Sequence, residues 1–108
     1  MVWSGAHDSN IWYGTSTDGI NWNIQGKTRG NTTTTPSVTT INAQGNQRMV
    51  LVFTDNGGNG DVWSSYYPGS NGGWNSVQNI AGLNSNFPIV SSIPATTPTS
   101  SDIFVHGV

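Results

Sequence analysis

The sequence has no cysteine and no glutamate, a single lysine (Lys27), two arginines (Arg29 and Arg48) and five aspartates. The missing cysteines exclude a disulfide framework, thiol chemistry and a cysteine zinc site. Ala, Leu, Glu and Lys, the residues that build long surface helices, are scarce. A net charge of -2 with no basic cluster leaves no electrostatic footprint for nucleic acid. No apolar run approaches the roughly 18 residues of a membrane helix, so no membrane span is expected. The N-terminus lacks a basic region followed by an apolar stretch, so no signal peptide is visible. The opening MVW reads as the inside of a strand, as in a processed or cut chain. The composition is compatible with a secreted or cell-surface-acting protein, and the compartment stays open.

What is present is Asn, Thr, Ser and Gly, with five tryptophans among them. Thr, Val, Ile and aromatics favour strands, and Gly and Asn favour tight turns. The expected fold class is all-β, in one domain of 108 residues. Asn31-Thr32-Thr33 matches a glycosylation sequon, a match with little weight in so Asn- and Thr-rich a chain.

The chain copies itself at about 52 residues. NWNIQGKTRGNTTTTPSVTTI (21–41) lies on GWNSVQNIAGLNSNFPIVSSI (73–93) without a gap, pairing Trp22 with Trp74, Asn23 with Asn75, Gly30 with Gly82 and Pro36 with Pro88. Upstream, NIWYGTS matches DVWSSYY, which sets Trp12 on Trp63; downstream, RMVLVFT is laid on SDIFVHG. The complete unit holds four strand-like runs: PSVTTI (A), RMVLVF (B), DVWSSYY (C) and GWNSVQ (D). The whole chain then reads B, C, D, then A, B, C, D, then A, B.

Four antiparallel strands in about 50 residues is the arithmetic of a β-propeller blade. A sandwich could space its strands this way, but gives no reason for one half to copy the other. The expectation is therefore two four-stranded blade repeats per chain, circularly offset as a partial blade (1–31), a full blade (32–83) and a partial blade (84–108). Two blades cannot close a ring. Oligomerisation with strand sharing completes it, IFVHGV of one protomer joining the C and D strands of the next, and a trimer with six blades is preferred. A fragment of a longer propeller is the alternative.

STDGINW (16–22) resembles the Asp-box hairpin of sialidase-like β-propellers and propeller lectins. The surrounding pattern, an IWY strand, the Asp hairpin, a Trp-Asn strand and a Pro-led apolar strand, is similar to propeller lectin repeats. The second copy, YPGSNGGW (67–74), has lost the Asp. The resemblance implies a propeller and, for Asp18, Trp22 and Trp74, a structural role in the hairpin, with both tryptophans in the core.

Sialidase chemistry would need an arginine triad and a Tyr–Glu pair, and this chain has two arginines and no glutamate. Most other glycosidases need two carboxylates about 5–10 Å apart. Asp8, Asp55, Asp61 and Asp102 carry no such pattern, and no Ser sits in a nucleophile elbow. No catalytic residue and no enzymatic activity are expected, and a glycosidase-like domain is the least favoured alternative. DNGGNGD (55–61) has part of a calcium-loop pattern, but Gly57 offers no ligand at the third position. His7 and His106 have no paired spacing, so neither a metal nor any other cofactor is expected.

Binding fits the residues better. Tryptophan platforms meet the apolar faces of sugars, and Asn, Asp, Arg and His meet the hydroxyls. Strand direction puts the B–C and D–A loops at one end of each unit, so His7, Asp8 and Asn10 share a face with Arg29 and Asn31. Asn56, Asn59 and Asp61 share it with Asn84 and Asn86. Strand alternation turns Trp12 and Trp63 away from the Ile11 and Val62 side. The expected function is a multivalent lectin with sugar sites between blades on this face, lined by Trp12, Trp63, His7, Asp8, Asn10, Arg29, Asn59 and Asp61. The runner-up is a structural or engineered propeller fragment that self-assembles without a dedicated ligand.

Overall fold

The computed structural model describes residues 1–57, 59–69, 72–94 and 101–106. Gly58 in the 55–61 loop, Ser70 and Asn71 in the 67–74 hairpin, and the end of IFVHGV (107 and 108) lie outside the described residues. The strands are β1 (Val2–Ser4), β2 (Asn10–Thr15), β3 (Asn23–Asn31), β4 (Ser37–Ala43), β5 (Asn46–Thr54), β6 (Asp61–Tyr67), β7 (Gln78–Asn84), β8 (Ile89–Pro94) and β9 (Ser101–His106). They form three antiparallel sheets in chain order: β1-β2-β3, β4-β5-β6-β7 and β8-β9. The fold is all-β, with no helix among the described residues.

Turn chemistry accounts for the hairpins. Gln44 and Gly45 link β4 to β5 with φ of 54° and 80°. Two positive φ values make a two-residue turn whose twist matches that of the strands it joins.

Side-chain alternation then builds two cores from one central strand. Leu51 and Phe53 of β5 face the first sheet and meet Ile11 and Trp74, with Val2, Tyr13, Trp63 and Val77 around them. Val50 and Val52 face the third sheet and meet Val62 and Val90, with Ile80, Leu83 and Val105 around them. Both faces of β5 are covered, which is why its sequence runs apolar without alternating. Ile11, Leu51, Val52 and Val62 are fully buried; each such side chain stabilises the fold by about 1.5–3 kcal/mol.

Close packing between the first two sheets depends on Gly30. A Cβ there would stand 2.7 Å from Phe53 and 2.9 Å from Ile11. No side chain fits without displacing the core.

Three details differ from the sequence expectation. The fourth strand of the unit begins later, at Gln78, and Trp74 lies ahead of it. Asn75 accounts for the delay: its side-chain Oδ1 accepts Tyr66 N–H at 2.6 Å and the Ser65 hydroxyl at 2.8 Å, while its backbone N–H donates to Tyr66 O at 3.0 Å. These bonds satisfy the edge of β6 locally and hold the Trp74–Asn75 stretch out of the ladder. Secondly, His106 pairs with Ile89 as Val52 pairs with Ser37. SDIFVHG therefore sits one residue away from its alignment on RMVLVFT, and Val105 rather than Phe104 enters the core. The longer β8–β9 connection shifts the phase, and a one-residue slip exchanges the two faces of a strand.

Trp22 is the third difference. Its copy Trp74 is 7% exposed, but Trp22 is 44% exposed. It does not share the core position expected for it, because the side chains that bury Trp74 come partly from the preceding sheet. The described residues put no sheet in that place beside Trp22.

Candidate functional site

The hairpin at 16–21 is a closed hydrogen-bond unit. Asp18 Oδ1 accepts the N–H groups of Ile20 and Asn21, each at 2.8 Å, and the Ser16 hydroxyl at 3.0 Å. Its Oδ2 accepts the Asn21 amide at 2.9 Å. Ser16 Oγ in turn accepts Gly19 N–H at 2.8 Å, and Gly19 takes φ of 76°. The N–H groups of Asn21 and Ile20, then the Asn21 and Ser16 side chains, hold the Asp18 carboxyl well below the usual carboxylate range. Its lone pairs are spent inside the turn. Nothing about this carboxylate suits it to proton transfer.

A recess lies elsewhere, between the first and second sheets. A cleft of about 560 Å³ is lined by Tyr13, Lys27, Arg29, Tyr66, Trp74 and Asn75, among others. Trp74 forms its floor, edge-on to Tyr13 at 5.4 Å and tilted against Tyr67 at the same distance. Burial, then the neighbouring Tyr67, pushes the Tyr13 phenol up, so it stays neutral over the physiological range. The rim is polar and its base aromatic, a combination suited to a ligand with one apolar face and many hydroxyls.

A smaller recess of about 200 Å³ continues toward the B–C and D–A loops, lined by Arg29, Asn31, Phe53, Asp55, Asn56 and Trp63. Arg29 borders both recesses. A bulge puts it there: Asn10 pairs with Asn31 but Trp12 pairs with Lys27, so Thr28, Arg29 and Gly30 all stand opposite Ile11. Bulges re-aim side chains at sheet rims. Arg29 thereby reaches across to the second sheet, where its Nη1 donates to Ser76 Oγ at 3.4 Å. Asn56 donates to Ser9 at 3.1 Å and ties the two loops together. The Trp63 Nε1 donor is buried and has no hydrogen-bond partner among the described residues.

The sequence-predicted site residues are scattered over the first two sheets. Trp63 and Arg29 meet in the smaller recess. His7 and Asp8 line a separate hollow of about 380 Å³ with Thr32 and Thr33, at the same end of the first sheet. There the Asn10 side chain, with its N–H at 3.1 Å, holds the Asp8 carboxyl below its ordinary value, and the Trp12 indole and Lys27 act in the same direction. Trp12 lies on the opposite face of its sheet from Ile11, with the Lys27 ammonium 5.3 Å from its ring centre. Asn10 is held in the ladder opposite Asn31. Asn59 lies in the loop before β6 and Asp61 opens β6 opposite Asn84, next to the point where Ser85 N–H donates to Gly60 O. The eight residues do not converge on one site.

Sequence reasoning missed Tyr13, Lys27, Tyr66, Asn75 and Ser76 as lining residues. Lys27 and Arg29 are two apart on β3, a spacing that marks one side of a strand. The bulge that brings Arg29 across to Ser76 has no such local signature. Chemically the cleft offers stacking surfaces, amides, hydroxyls, one ammonium and one guanidinium, and the smaller recess adds the Asp55 carboxylate. Comparison with protein-family models, with curated proteins and with solved structures finds no match for this chain.

Proposed function

We propose that the chain is a carbohydrate-binding protein, a lectin, whose sugar site is the cleft between its first two sheets. The observation that carries this is the lining of that cleft, an aromatic base of Trp74 and Tyr13 under a polar rim of Lys27, Arg29, Asn75 and Ser76. Amide, ammonium, guanidinium and hydroxyl groups of this kind exchange hydrogen bonds with ligand hydroxyls. Sugars supply such hydroxyls together with C–H faces for Trp74 and the tyrosines. A glycan array on the purified chain tests this: binding to at least one saccharide class, lost in Arg29→Ala, is expected. No saccharide bound at high protein concentration would reject it.

The sheets are read as blades of an Asp-box β-propeller, divided at 1–31, 32–83 and 84–108, with three chains closing a six-bladed ring. Two features support this: each successive sheet stacks on the next in the same order, and Ile89, Ile93 and Phe104 of the third sheet stay 44–53% exposed. Repetition around a ring would raise the avidity of individually weak sites. Light scattering should report the mass of three chains; a stable monomer would reject the ring. Those exposed apolar side chains also favour a second reading, a propeller fragment whose purpose is assembly alone. An assembled ring that bound no saccharide would select it.

A further inference from the structure

We infer that β1 occupies the docking edge for β9 of a second copy, so that assembly requires β1 to give way. The inference rests on the ring reading and adds a gate to it. In the second sheet, β6 is paired along its length by β5, from Thr54 opposite Val62 to Met49 opposite Tyr67. The corresponding edge of β2 is covered only by the three-residue β1, with Ser4, Trp3 and Val2 opposite Ile11, Trp12 and Tyr13. Met1 closes the end by exchanging two bonds with Gly14, at 3.0 and 3.2 Å. Beyond Gly14 no described strand pairs with Thr15 on that side.

The third sheet carries the strand that would suit this edge. Val90 pairs with Val105 as Val38 pairs with Leu51, which makes β9 the copy of β5. Among the described residues it pairs with β8 alone, which leaves the edge that β5 uses to hold β6 without a described strand. Phe104 there is 50% exposed and Ile103 44%. Transferring the β5–β6 register sets Ile103 opposite Ser16, Phe104 opposite Thr15, Val105 opposite Gly14 and His106 opposite Tyr13. Gly14 and Tyr13 are the positions already held by Met1 and Val2. The two strands are mutually exclusive over those residues, while Thr15 and Ser16 give β9 a foothold.

An open edge strand with exposed apolar side chains is a template for another chain. A second copy supplies a strand with the matching register, which pairs with Thr15 and Ser16 beyond the reach of β1.

The chain has no cysteine, so a reversible lock is available. Val2 and Tyr13 flank the hydrogen-bonded Met1–Gly14 pair and so form a non-hydrogen-bonded pair, the closer kind in an antiparallel ladder. In Val2→Cys/Tyr13→Cys, oxidation should hold β1 in place and leave the mass of one chain by light scattering. Reduction should restore assembly, with at least a tenfold tighter association. Removal of residues 1–4 should strengthen association to a similar degree, and Phe104→Lys should abolish it in every form. The same mass oxidised and reduced, with assembly intact, overturns the gate and leaves the ring standing. A monomer in all forms, including the truncated one, overturns both the gate and the ring; sugar binding by that monomer would still uphold the lectin reading.

Discussion

Trp22 and Trp74 occupy the same place in two copies of one motif, each followed by an asparagine, yet one is 44% exposed and the other 7%. Trp74 is wedged between Tyr67 of its own sheet and Tyr13 of the sheet before it. Trp22 stands on the outer face of the first sheet, where no described sheet supplies the counterpart of Tyr13. A repeat therefore specifies which side chain is offered to an interface. Whether it is buried depends on the neighbour that arrives. The hairpins leading to these residues differ as well. Ser16 and Asp18 staple the first with side-chain bonds, whereas the second is tied to its sheet through Asn75 and the edge of β6.

Breaking this pair apart experimentally should give unequal losses. Trp74→Ala empties the floor of the cleft and is expected to cost about 3–5 kcal/mol in denaturant unfolding. A loss below 1 kcal/mol would mean that the first two sheets do not depend on this packing. Gly30→Ala pushes a methyl group into Phe53 and Ile11 on the other side of the same interface. About 1–3 kcal/mol is expected, again by denaturant unfolding, with the tryptophan fluorescence maximum moving to the red.

Trp22→Ala in the monomer should change stability by no more than about 0.5 kcal/mol, as surface substitutions do. If the ring forms, the same substitution should instead weaken association, because a partner sheet would then cover Trp22 as Tyr13 covers Trp74. Light scattering across a dilution series separates the two outcomes.

The smallest effect is expected at the Asp18 staple. Its carboxyl is depressed in the folded chain, so its contribution is complete above the ordinary value of 3.8 and is lost as pH falls below it. Loss of exchange protection at Ile20 and Asn21 in acid, measured against the free-chain rate at the same pH, with protection unchanged between pH 5 and 8, is the expected signature. Asp18→Asn should speed exchange at the same two amides at neutral pH and leave the Trp74 region untouched.

Much of the architecture was legible because it is local. The Gln44-Gly45 turn, the apolar run of β5 and the alternation that separates Trp63 from Val62 can each be read from a few neighbouring residues. The start of β7 could not be read this way. GWNSVQ has strand composition, but the bonds from Asn75 to Ser65 and Tyr66 compete with the ladder across the hairpin. The candidate site was legible only in part. Trp63 and Arg29 were singled out and do meet, but through the bulge opposite Ile11 and a contact with Ser76, which is 47 residues away.

By itself the sequence determined the repeat, the order of strands and, outside β9, the faces they present, since periodicity two and turn chemistry act over a few bonds. It also determined that Asp18 would be consumed by its own turn. Only the tertiary structure decided which of two identical tryptophans is buried, which phase β9 takes beside β8, and which polar residues share a cleft. Those outcomes depend on close packing between sheets, where a single methyl group on Gly30 or one residue of loop length changes the partner that each side chain meets.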